Sequence, residues 1–116
     1  MSDQPEYTLR GLKASSYEYN FGMALEHFGV DYLFQVSYWG GRDIRGGQVL
    51  DFLVWNPFEQ PVQIFGEYWH EGQLGSQDKF KLALLEQHFN KKVLIYWGPD
   101  VGTYEDALET VRREIL

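Results

Sequence analysis

The sequence predicts one α/β domain with a mixed sheet flanked by helices, in the element order αβββαβα. Three observations predict it. Stretches of helical periodicity bracket three short strand-like runs joined by turn signals. A further, strongly apolar run is reached only through a helix, so it can pair in parallel with a neighbour. The length, 116 residues, suits a single domain.

Residues 1–14 carry Gly11 and mixed polarity and read as an N-terminal arm; the domain proper spans 15–116. Ser15-Ser16-Tyr17-Glu18 fits a capping box, with Glu18 at the third helical position. Phe21, Ala24, Leu25 and Phe28 follow at helical spacing, and Gly29 ends the run. Tyr32 to Val36 is a first strand. The glycine-rich stretch from Gly40 to Gly47 suits a hairpin connection, and Gln48 to Val54 is a second strand. Asn56-Pro57 breaks it, and Val62 to Phe65 is a third, ended by Gly66. Gly72 to Ser76 is a loop. From Gln77 the pattern is helical again, with Leu82, Leu85 and Phe89 on one face and Phe80 and Leu84 beside them. Val93 to Trp97 reads as a strand buried in the middle of a sheet. Thr103 caps a last helix whose early acids, Glu105 and Asp106, and late bases, Arg112 and Arg113, complement the helix dipole. Leu108, Val111 and Ile115 form its expected buried stripe.

Composition narrows the classes. Hydrophobic residues make up 44% and aromatics 17%, ample for a packed core. No apolar run is long enough to cross a bilayer, and the polar N-terminal residues lack a signal-peptide core, so the chain reads as soluble and cytoplasmic, with no membrane partner. The absence of cysteine excludes disulfides and thiolate metal sites. The net charge of −7 argues against tight nonspecific DNA binding. Carboxylates gathered to hold Mg²⁺ would also lower net charge, and the ion restores positive potential locally.

Asp51 is the most informative residue. It stands inside Val49-Leu50-Asp51-Phe52-Leu53-Val54, where an unpaired charge is costly. It either serves a metal, pairs structurally with Arg42 or Arg45, or stands where the strand begins or bends. Glu18 and Asp78 each share a helical face with core residues, yet a capping-box glutamate and a first-turn aspartate have ordinary structural explanations. His70 follows Tyr68 and Trp69 just past a strand, where it could act as general base or polarise a phosphate, or be structural. His27 and His88 read as surface or helix-boundary residues. Gln63 faces the opposite side of the sheet from Val62 and Ile64 and could share the side of Asp51. Glu67 is a further possible ligand. Arg42, Arg45, Lys79 and Lys81 are the best phosphate contacts, although each could be a plain solvated charge. Tyr38, Trp39, Trp55 and Phe58 could stack on bases or cover a partner, or pack in the core. As a group the acids suit metal-assisted phosphodiester cleavage, since Mg²⁺ takes oxygen ligands and needs only one or two carboxylates besides water.

The segment Val62-Gln63-Ile64-Phe65-Gly66-Glu67-Tyr68-Trp69-His70 resembles the strand of very-short-patch repair (Vsr) endonucleases that ends in Gly-x-aromatic-Trp-His. Asp51-Phe52 is similar to that family's Asp-Phe pair. Asp78, Leu85 and Val93-Leu94-Ile95-Tyr96-Trp97 resemble its downstream Asp, Leu and Val-Leu-Ile-x-Trp. Glu18, Asp51, His70 and Asp78 together resemble the Glu-Asp-x-His-Asp signature of Vsr-like homing endonucleases, a branch of the PD-(D/E)XK superfamily. The resemblance spans roughly residues 15–116.

It implies a restriction-endonuclease-like core and a Mg²⁺- or Mn²⁺-dependent DNA endonuclease or nickase. Asp51 would be the main metal ligand, Glu18 and Asp78 would shape the metal and phosphate site, His70 would be general base or phosphate polariser, and Gln63 would take the place of the motif acid. The sequence departs at Phe65, where the superfamily has a lysine; the Vsr-like branch lacks it too. The structural zinc of Vsr proteins is not expected without cysteine. The alternatives are a catalytically inactive nuclease-like subunit or interaction module, and a domain whose acids are only caps. DNA is the expected partner, with a homodimer or a larger assembly as the expected context.

Overall fold

The computed structural model describes residues 6–66 and 75–116. Strands β1 (Tyr7–Leu9) and β2 (Leu12–Ala14) form an antiparallel hairpin before helix α1 (Ser16–His27). Strands β3 (Asp31–Tyr38), β4 (Gln48–Trp55) and β5 (Glu59–Phe65) follow, then helix α2 (Ser76–Phe89), strand β6 (Leu94–Trp97) and helix α3 (Tyr104–Glu114). Among the described residues the larger sheet has the order β3-β4-β5-β6, antiparallel except for the β5–β6 pair. From residue 15 onward the described elements follow the expected order, and the molecule is a compact α/β domain with a mixed sheet. Among the described residues no helix is long and apolar enough to cross a membrane.

The helix starts follow from their caps. The Glu18 amide donates to Ser15 Oγ at 3.1 Å, and the Ser15 amide donates to Glu18 Oε1 at 2.8 Å, which closes the capping box. Thr103 Oγ1 accepts from the Asp106 amide at the start of α3. The N-terminal arm carries the hairpin, and its Leu9 is buried against Gly22 of α1. A Cβ at Gly22 would stand 2.5 Å from Leu9 Cδ1, so a larger residue there would require the Leu9 side chain to shift.

Two apolar layers sandwich the sheet. Phe21 and Leu25 of α1, Val111 of α3, and Phe34, Phe52, Val54, Val62, Ile64 and Tyr96 of the sheet pack on one face. Leu82 and Leu85 of α2 pack with Leu50, Leu53 and Val93 on the other, with Val36 and Ile95 beside them. Phe80, expected beside the α2 face, is exposed. On α3 the buried stripe runs through Ala107, Thr110 and Val111, with Leu108 and Ile115 half-buried at its margin.

One expectation is corrected. β6 ends the described sheet instead of standing in its middle. Its apolar run is explained by helices on both faces: Tyr96 packs into the α1/α3 layer and Ile95 into the α2 layer. β5 also begins earlier than expected, at Glu59. Pro61 lies inside it, opposite Leu53, one residue before β6 pairs at Val62. A proline is tolerated there because no parallel neighbour asks for its missing N–H.

Candidate functional site

Asp51 lies where the regular ladder stops. β4 and β5 pair from Trp55–Glu59 to Phe52–Val62. One residue further, side chains take over. The Asp51 amide donates to Gln63 Oε1 at 2.8 Å, and the Ile64 amide donates to Asp51 Oδ2 at 2.7 Å. Gln63 Nε2 reaches the Val49 carbonyl at 3.5 Å. Buried backbone groups must find partners, and here two polar side chains supply what strand pairing does not. The expectation that Gln63 shares the side of Asp51 agrees with this contact.

Asp51 also lines a cleft of about 300 Å³ whose other polar lining includes Arg42, Gln48, Gln63, Asp78 and Lys81, with Phe65 among the apolar groups. Gln48 is buried, and its Nε2 donates to the Lys81 carbonyl at 3.1 Å, tying β4 to α2 across the cleft. Gly47 shapes the rim. A Cβ there would stand 2.2 Å from the Gly41 carbonyl oxygen, so the turn after β3 folds down onto bare backbone.

Burial pushes the Asp51 carboxyl up from 3.8 to about 7. The Ile64 N–H opposes this, Glu18 adds to it by like charge and a side-chain hydrogen bond, and Arg42 opposes it by attraction. A carboxyl held near neutrality by desolvation and a second acid, in a cleft, marks a candidate functional position. Among the described residues it forms no ion pair with Arg42 or Arg45, so the salt-bridge alternative does not hold. The bend alternative does: the strand departs from regular pairing here.

The expected site residues divide as follows. Asp51, Gln63, Asp78, Arg42 and Lys81 line one cleft, and Glu18 reaches Asp51 from the first turn of α1. Glu18 therefore caps its helix and faces Asp51 at once. Arg45 and Lys79 are exposed and do not line the cleft. His70 and Glu67 lie outside the described residues. Among the described residues no three of Asp, Glu, His and Cys form a group that could hold a metal. Mg²⁺ does not require three, because it keeps several waters. Asp51 Oδ2 and Glu18 Oε1 are each committed to one amide, which leaves each carboxylate an oxygen for a cation. Gln48, which also lines the cleft, was not legible as a site residue, since at the start of a strand after a glycine-rich turn it reads as surface.

No family model, curated protein or solved structure matches the chain.

Proposed function

We propose that this chain is a Mg²⁺- or Mn²⁺-dependent DNA endonuclease or nickase, with a PD-(D/E)XK core of the Vsr-like branch. The observation that carries the reading is the half-buried Asp51 carboxyl beside Glu18, in a cleft that Arg42 and Lys81 also line. The element order from residue 15 onward and the resemblance of the Asp51-Phe52 and Gly66 to His70 segments support it.

In this reading Asp51, Glu18 and Asp78 are the residues that would hold the cation. The ion would polarise the phosphate and lower the pKa of the attacking water. Arg42 and Lys81 neutralise phosphate oxygens as charge builds up on them. His70 keeps the role the sequence assigns, taking the proton of the attacking water or polarising the phosphate. Water attacks phosphorus, the P–O bond to the leaving strand breaks, and the freed sugar oxygen takes a proton from solvent. Arg45 and Lys79 contact flanking phosphates. Gln63 holds the β4 backbone in place through the Asp51 amide rather than serving as a ligand.

Purified protein should nick supercoiled DNA with Mg²⁺ or Mn²⁺, and Asp51→Ala should lower the rate by at least about 100-fold, in line with removal of a principal charge-stabilising group. If wild type and variant are equally inert across duplex and single-stranded substrates, the enzyme reading is wrong. The second reading, an inactive nuclease-like subunit, is favoured by the net charge of −7 and by Phe65 in the cleft. A melting temperature that Mn²⁺ fails to raise would support that reading over the first.

A further inference from the structure

Gln35 is the least expected residue near the site. It lies inside the eight-residue strand β3 with φ of 56°. Left-handed backbone is uncommon for a residue with a side chain, and more so within a strand. The pairs Phe34–Phe52 and Val36–Leu50 bracket it, so Gln35 and Asp51 face one another in the gap between them. Its side chain is turned out to the hairpin, where Nε2 donates to the Lys13 carbonyl at 3.4 Å.

The core layers show what this does. In a regular strand, residues two apart share a face. Phe34 and Phe52 pack in the α1/α3 layer, while Val36 and Leu50 pack against α2. Both strands therefore exchange faces across the Gln35–Asp51 step. Without the exchange, Leu50 would point with Phe52 toward α1 and α3, and the α2 layer would lose one of its fully buried leucines. Asp51 sits on the step itself, where its carboxylate accepts from the Ile64 amide in place of a ladder partner. Local irregularities of this kind re-aim side chains beside active sites.

We propose that Gln35 is a positioning residue: its left-handed backbone turns β4 at Asp51 and thereby holds the Asp51 carboxylate on the Ile64 amide. The consequence for catalysis rests on the proposed function; the geometry does not.

The test reads amide hydrogen exchange in the metal-free full chain. Gln35→Val, whose branched side chain disfavours left-handed backbone, should lower the protection of the Ile64 and Asp51 amides at least tenfold relative to the Val54 amide. Gln35→Gly and Gln35→Asn, which tolerate it, should hold that ratio within about twofold of wild type. Asn90→Val is the control, because Asn90 is left-handed with φ of 56° at the end of α2. It should lower protection by a common factor and leave the ratio unchanged. If Gln35→Val does not fold, Gln35→Ala is read against the same ratio with a threefold threshold. A ratio in Gln35→Val equal to that of wild type overturns the proposal, as does a change below threshold in Gln35→Ala or loss of protection in Gln35→Gly. Mn²⁺ is then added to the wild type: no rise in melting temperature counts against the nuclease reading and leaves the exchange ratio, and so this inference, standing.

Discussion

Asp51→Asn offers a direct measure of how much the fold resists a charge at the site. Burial moves the Asp51 carboxyl from 3.8 to about 7. At ~1.4 kcal/mol for each tenfold change in proton affinity, holding the group ionised costs the folded state about 4 kcal/mol. The sign follows from which state binds the proton more tightly. Folded protein holds it up to about pH 7 and unfolded chain releases it near pH 4, so the contribution is full at low pH and is lost as pH rises through 7. Between about pH 5 and pH 8 it should lower wild-type stability by about 3 kcal/mol. The asparagine would keep an oxygen for the Ile64 amide and carry no charge. Urea denaturation at several pH values, with wild type and variant side by side, isolates Asp51 from every other titrating group. The variant should gain on the wild type steadily across that range and be the more stable protein at its upper end. A stability difference that stays flat would refute the burial of Asp51 as a charge and, with it, the electrostatic account of the cleft.

Further predictions follow from contacts near the site and in the core. Glu18→Gln keeps an acceptor for the Ser15 amide and removes the like charge, so carboxyl NMR should show the Asp51 pKa fall toward its ordinary value while remaining above it; a rise would contradict the proximity of the two acids. Among the described residues the Tyr96 hydroxyl is buried without a hydrogen-bond partner, and burial holds its pKa above the ordinary tyrosine value. Tyr96→Phe should therefore be neutral or stabilising by up to about 1–2 kcal/mol in denaturant unfolding, and a loss of that size would mean the hydroxyl is satisfied in solution.

Much of the fold was legible because its signals are local. The capping serine and threonine, the glycine after the first helix and the apolar spacing of α1 each depend on a few neighbouring residues, and each matches the structure. What failed depends on what lies across the sheet. Four apolar residues in a row read alike whether strands or helices cover them, so β6 was expected in the middle and stands at the end. The third strand was expected from Val62, yet it begins at Glu59 and admits Pro61, because its parallel neighbour begins one residue later. The site divides in the same way. Asp51 stood out as a charge in an apolar run, and Gln63 was reached by strand alternation. The face exchange at Gln35 had no sequence signal, because strict alternation is the assumption it breaks. Glu18 was open between cap and site, and the structure gives it both contacts.

That double contact has a consequence for how such a chain drifts. The glutamate at 18 would be retained by selection for the helix start alone, whatever became of the chemistry, since losing its hydrogen bond frays the first turn. Asp51 is under the opposite pressure. It weakens the fold whenever it is charged, and an asparagine would serve the Ile64 amide without that penalty. In a lineage under no selection for the cleft, position 51 would be the first to change and position 18 among the last. An aspartate still present at 51 in distant descendants would therefore speak for a working site far more strongly than any number of preserved glutamates at 18.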